Sequence, residues 1–238
     1  MCEEHIRPIS QNGIRNMEIV REKVRNDNNA NNVRILHHME RYEFMAQYLL
    51  SYYSKDQSID LLDAGCGLSY GMNIIKNVID NQMYLNLVGI DIDSSTIKRA
   101  SEINKEASFF CQDICDISLL KKYDVIILFE VLGNAAIDSD QFLLAKLKNL
   151  LKPNGLIFIS IPSYGDKQPR DYFKRLYNQQ IFNDLIKKIF NNWTCNFYGQ
   201  FYPKNRSDIV EESPIRKEYF SDGNFMLVAI EAGEIENV

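Results

Sequence analysis

The stretch LLDAGCGLSYG, residues 61–71, decides the fold. An apolar run ends at Asp63, and Gly65, Gly67 and Gly71 then flank the small polar Ser69. This is the pattern of a strand, a glycine turn and a helix start. Two explanations compete: a turn tight for its own sake, or a backbone that a ligand must approach. Gly65 and Gly67 carry no β-carbon that would hold a ligand away. What lies outward along the chain chooses between the two.

From residue 59 short apolar runs recur as IDLLDA (59–64), LNLVGID (85–91), ASFFCQD (107–113), YDVIILFE (123–130) and GLIFISIP (155–162). Helical patterns stand between them, at 71–79, 94–106 and 139–151, and another follows at 178–190. Two late strand candidates, TCNFYGQFY (194–202) and NFMLVAIEAG (224–233), bring the count to seven. Continuous apolar strands alternating with helices predict a parallel sheet covered on both faces, a doubly wound α/β domain. Residues 1–54 carry no strand signal. Helical spacing at 14–25 and 33–53, separated by the Asn-rich NDNNANN (26–32), predicts an N-terminal helical cap on a binding domain at 55–238.

The 238 residues suffice for one substantial core, with 45% hydrophobic and 25% charged residues. A net charge of −5 and the absence of a basic stripe speak against a nucleic-acid partner. No eighteen-residue apolar run predicts a membrane span, and the polar MCEEHIRPIS start does not resemble a secretory signal. Five scattered cysteines, Cys2, Cys66, Cys111, Cys115 and Cys195, fit reduced thiols in the cytoplasm better than disulfides or a zinc site. No metal is expected.

In a doubly wound sheet, ligands bind beyond the carboxyl ends of the strands. Asp91 closes the second strand, where a carboxylate accepts from both hydroxyls of a ribose. Asp113 closes the third, placed to accept from an exocyclic amine such as that of adenine, with Ile92, Ile114 and Leu132 as apolar walls. Taken singly, each aspartate reads first as a strand-end or helix-capping carboxylate, a reading that three acidic strand ends after a glycine loop make much less attractive. A nicotinamide dinucleotide is the rival ligand. Its GxGxxG fingerprint requires glycine where this chain has Tyr70, and Asp63 would repel a pyrophosphate yet accept from an ammonium. A cationic nucleoside fits better.

With these residues in place, the chain resembles the class I S-adenosylmethionine-dependent methyltransferases. The resemblance rests on LLDAGCG, GIDIDSSTIKRA, CQDI, YDVIILFEVL and LLKPNGLIFISIP, in that order, and covers roughly residues 35 to 232. A narrower likeness, to bacterial members that modify glycans or small molecules, rests on HMERY (His38, Arg41, Tyr42) and SYG (69–71). The resemblance implies a Rossmann-like seven-stranded sheet with an antiparallel last strand, and S-adenosylmethionine as cofactor. It also implies that Asp63, Gly65 and Gly67 hold the methionine part, Asp91 the ribose, and Asp113 with Ile114 the adenine. Glu130 would lie at the pocket floor, and Arg41 could meet the cofactor carboxylate. Two departures stand out: Ser69 replaces a usual third glycine, and Gly133-Asn134 stand where many relatives have Glu-His.

Methyl transfer from a sulfonium needs alignment first, and a base only where the acceptor is a hydroxyl. The catalytic candidates are Asn134, Tyr164 and His38, with His37 and Tyr42 as further helpers. For the histidines a helix surface, and for Arg41 an exposed helix position, is the plainer alternative. Methyl transfer to a small-molecule or glycan acceptor is the expected activity. The alternative is a non-catalytic module that keeps the nucleoside pocket for regulation or assembly.

Overall fold

A computed structural model of the chain describes residues 30–117, 121–134, 138–163, 174–201, 215–220 and 225–233. Helix α1 (Ala30–Tyr52) precedes β1 (Ser58–Ala64), α2 (Tyr70–Ile79), β2 (Tyr84–Asp91), α3 (Ser94–Ile103) and β3 (Ser108–Cys111). After a 3-10 turn (Ile114–Asp116) come β4 (Tyr123–Phe129), α4 (Asp140–Asn149), β5 (Leu151–Pro162) and α5 (Gln179–Ile189). The chain then forms β6 (Thr194–Gln200), β7 (Ile215–Arg216) and β8 (Phe225–Glu231).

One sheet runs in the order β3-β2-β1-β4-β5-β8-β6-β7. The first five strands are mutually parallel, and β8 inserts antiparallel between β5 and β6. The expected doubly wound sheet with an antiparallel last strand is therefore present. Its count is eight rather than seven, because the two-residue β7 is too short to show a period. Chain order reverses at β1 and β4, which places the switch point at the carboxyl ends of those two strands.

Alternation along the strands sorts the core into two layers. Leu61, Val125, Ile127 and Phe158 face α1 and α2, whereas Leu62, Ile126, Leu128 and Ile157 face α4 and α5. Met45, Ala46, Leu49 and Leu50 of α1 are fully buried, so this helix is a layer of the core. It starts at Ala30, inside the Asn-rich run expected to break it. The helix expected over 14–25 lies outside the described residues. Asp113, expected at a strand end, instead stands two residues beyond β3 and caps the 3-10 turn, its Oδ1 accepting from the Cys115 N–H at 2.8 Å. Strand β3 stops early because it is a four-residue edge strand paired only to β2. Among the described residues, no helix is long and apolar enough to cross a membrane.

Candidate functional site

The glycine loop leaves β1 at its carboxyl end and is bound to β2. The N–H groups of Gly65 and Cys66 both donate to the Ile90 carbonyl, at 2.8 and 3.0 Å. Asp91 completes the tie: its Oδ2 accepts from the Gly67 N–H and its Oδ1 from the Asp93 N–H, each at 3.0 Å. Beside it Ile92 is 60% exposed, a large apolar side chain left uncovered next to an anchored carboxylate. The Gln112 N–H donates to the Asp91 carbonyl at 3.0 Å, which brings Asp113 and the buried Ile114 to the same strand end.

Ser69 explains its own oddity. It holds the left-handed φ of 59° at the start of α2, a conformation in which glycine costs nothing and serine is strained. Its hydroxyl is fully buried without a hydrogen-bond partner.

The HMERY motif of α1 packs onto this loop. At Gly71 an added β-carbon would sit 2.2 Å from the Tyr42 ring, so this glycine exists to admit that tyrosine. Tyr42 donates its hydroxyl to Asp63 Oδ2 at 3.3 Å, and the His38 ring meets Tyr42, Tyr70 and Phe129 edge-on. Arg41 is 1% exposed, which removes the exposed-arginine alternative. Its Nη2 donates to Glu130 Oε1 at 2.7 Å and its guanidinium lies 4.1 Å from the Phe225 ring centroid. His38 Nε2 stands 3.6 Å from the same Glu130 oxygen. Glu130 itself has φ 59°, backbone strain of the kind that concentrates at functional sites.

Electrostatically this end is under tension. Burial raises the Asp63 carboxyl to about 7, against the Tyr42 hydrogen bond and with help from the Asp91 charge. Burial, then the Arg41 cation, holds His38 well below 6.5, so its imidazole is neutral at neutral pH. Asp63 Oδ1, His38 Nε2 and Arg41 Nε are buried and lack hydrogen-bond partners.

Asp63, Gly65, Gly67, Asp91 and Ile92 thus meet at one strand end, with Arg41 and Glu130 beside them. The His37 ring faces Glu40 instead, its Nδ1 3.9 Å from Oε2, and its carbonyl accepts from Gln200 at 2.8 Å. Asn134 lies on the turn after β4, its N–H donating to Val131 O at 3.2 Å. Tyr164 lies outside the described residues. Absent from the sequence reading are Phe225, which stacks on Arg41, and Asp140, Arg175 and Tyr177, which hold the Gly133–Asn134 turn. No local spacing announces contacts made across 35 or 184 residues.

A family model described as a methyltransferase domain matches residues 55–212. The chain belongs to this methyltransferase family. Among curated relatives, the ubiquinone biosynthesis O-methyltransferase of Rickettsia felis is 30% identical over 132 residues, 53% of this chain and 51% of the relative. Putative methyltransferase 235L of Invertebrate iridescent virus 6 is 30% identical over 99 residues, 42% of this chain and 36% of that protein. The chain spans about half the length, or less, of these relatives. Among solved structures, the plantazolicin methyltransferase BpumL with S-adenosylhomocysteine superposes with a TM-score of 0.63 at 19% identity, over 89% of this chain and 90% of that one. The N-methyltransferase NodS of Bradyrhizobium japonicum WM9 with the same ligand gives 0.57 at 16%, over 88% and 91%. At such identity the likeness is one of fold. S-adenosylmethionine, the cofactor implied by the sequence resemblance, is the one that agrees with membership of this methyltransferase family.

Proposed function

We propose that this methyltransferase transfers the methyl group of S-adenosylmethionine to a small-molecule or glycan acceptor by in-line displacement. One observation carries the reading: a glycine loop tied through Gly67 to the carboxylate of Asp91, with the uncovered Ile92 alongside. The residues fit the cofactor. Asp63 Oδ1 is a buried acceptor without a donor, and no atom lies within 4 Å of where a β-carbon on Gly67 would stand.

In this reading Asp91 accepts from the ribose hydroxyls with the lone pairs its two backbone donors leave, and Ile92 and Ile114 flank the adenine, with Asp113 at its amine edge. Gly65 and Gly67 admit the methionine part, whose ammonium offers the donor that Asp63 lacks. Arg41 holds Glu130 in place from beneath. The bound cofactor supplies an electrophilic methyl on a cationic sulfur. The chain's task is then to align the acceptor, with Asn134 on the acceptor side and His38 as a neutral imidazole near Glu130. The O-methyltransferases among the relatives support a hydroxyl acceptor in the test panel.

Calorimetry with S-adenosylhomocysteine tests the pocket, and release of S-adenosylhomocysteine across a panel of glycans and hydroxylated small molecules tests turnover. Asp91→Ala should weaken binding at least tenfold, since hydrogen bonds to a charged acceptor contribute about 1.5–3 kcal/mol. Unchanged affinity in the folded variant would move the ribose elsewhere, and tight binding without turnover on any acceptor would favour the non-catalytic module.

A further inference from the structure

We propose that Asp140 is a positioning residue for the cofactor loop, acting through the turn that follows β4. The inference rests on the pocket assignment above. Asp140 opens α4, yet it does not cap it: Ser139 does, its Oγ accepting from the Phe142 N–H at 3.2 Å. The Asp140 carboxylate, 4% exposed, turns back instead to the Gly133 N–H, accepting at 3.1 and 3.2 Å through its two oxygens. Arg175 donates to it through Nε at 2.7 Å and Nη2 at 3.0 Å, and the Tyr177 hydroxyl donates as well.

The same turn is gripped from its other side. The Gly133 carbonyl accepts from the N–H groups of Lys174 and Arg175 at 2.9 and 3.2 Å, and Arg175 Nη2 donates to the Asn134 carbonyl at 3.3 Å. Gly133 has φ 78°, and a β-carbon there would stand 2.4 Å from the Arg175 carbonyl oxygen. The turn is therefore held by the buried Asp140 carboxylate and by donors from Lys174, Arg175 and Tyr177.

A buried, fully donated carboxylate of this kind fixes geometry rather than adding much net stability. The geometry it fixes reaches the loop directly. Val131, two residues before Gly133, places its Cγ2 2.5 Å from where a β-carbon on Gly65 would be. Glu130, the next residue back, is held by its N–H to the Ser160 carbonyl at 2.9 Å and by Arg41. Moving Gly133 thus moves the side chain that seats the glycine loop.

The test is the dissociation constant of S-adenosylhomocysteine, measured by calorimetry on the full chain for wild type, Asp140→Asn and Leu147→Ala. Leu147 is fully buried on the same helix and takes no part in the turn, so its truncation controls for destabilisation. Asp140→Asn should weaken binding at least tenfold, which is about 1.4 kcal/mol, and shift the amide resonance of Gly67. Leu147→Ala should lower the melting temperature yet keep affinity within threefold and leave that resonance in place. Equal affinity in Asp140→Asn and wild type, or equal losses in both variants, would overturn the proposal. Should Asp140→Asn fail to fold, Arg175→Lys, which keeps the charge and loses the fork, carries the same test, with at least threefold weakening expected and none overturning it. A wild-type chain that does not bind S-adenosylhomocysteine would refute the pocket assignment instead.

Discussion

Asp60 and Asp63 stand three residues apart on β1, and their surroundings push them in opposite directions. Partial burial of Asp60 is outweighed by hydrogen bonds from Lys121, Lys152 and Asn86, which bring its carboxyl down to about 2. Lys152 also bridges to Asp124 at 2.8 Å, so Lys121, Asp60, Lys152 and Asp124 form one run of paired charges at the amino end of the sheet. At the carboxyl end, burial raises Asp63 to about 7, and one of its oxygens has no donor. The strand is the same. The difference is that Asp60 is satisfied from within whereas one Asp63 oxygen is left for something to come, which is how perturbed groups mark a functional site.

The largest effect should come from breaking a buried partner at the carboxyl end. Arg41→Met removes a 1%-exposed cation and leaves Glu130 without it. Removing one member of a buried pair costs 3–5 kcal/mol, and the low end, about 3 kcal/mol, applies because Glu130 keeps a third of its side chain in water. Lys152→Met at the amino end, where Lys152 is 34% exposed, should cost about 1 kcal/mol or less. Urea unfolding at pH 7 measures both. Equal losses would erase the distinction between the two ends.

A second difference is one of sign. Asp63 has its folded value raised above the ordinary 3.8, so its contribution to stability is full below 3.8 and is lost as pH rises through about 7. Asp60 has its folded value depressed, so its contribution is full above 3.8 and is lost as pH falls toward 2. Asp63→Asn should therefore gain on wild type by at least about 1 kcal/mol between pH 5.5 and 8.5. Asp60→Asn should hold a constant deficit over that same range. Denaturant titrations of the unliganded protein at the two pH values decide it; a constant offset for Asp63→Asn would show that its carboxyl is ionised throughout.

How much of this was legible in the sequence follows the range of each interaction. Strand periods, the glycine loop and the aspartate at the end of β2 are local patterns, and the alternation of Leu61 and Leu62 between two cores is written in adjacent letters. HMERY and SYG are legible as two motifs, but the ring of Tyr42 lying on Gly71 is a fact of tertiary packing. FFCQD predicts a strand running to Asp113, but the apolar run stops at Cys111, before the polar Gln112, and so does the edge strand. Asp140 lies in the first turn of the helix expected over 139–151. Its carboxylate is spent on residues 7 and 35 positions away, and no period encodes that.

The smallest effect is the one that tests whether the two ends are independent. Lys121 donates to Asp60 at 2.5 Å, but its side chain is 48% exposed, and Lys152 and Asn86 remain on the same carboxylate if it is removed. An exposed pair contributes 0–1 kcal/mol, so Lys121→Ala should cost no more than that, and less still in high salt. Asp60 and Asp63 share a strand, and a rigid strand could carry a disturbance along it. Yet residues 61 to 63 are clamped on both sides by β2 and β4, and their side chains lie in close-packed layers that absorb little displacement. The affinity for S-adenosylhomocysteine should therefore stay within threefold of wild type in Lys121→Ala, measured by the same calorimetry as the Asp140 variants. A tenfold loss from so slight and distant a change would mean that the paired end tunes the open one, and that the sheet between them is not a passive scaffold.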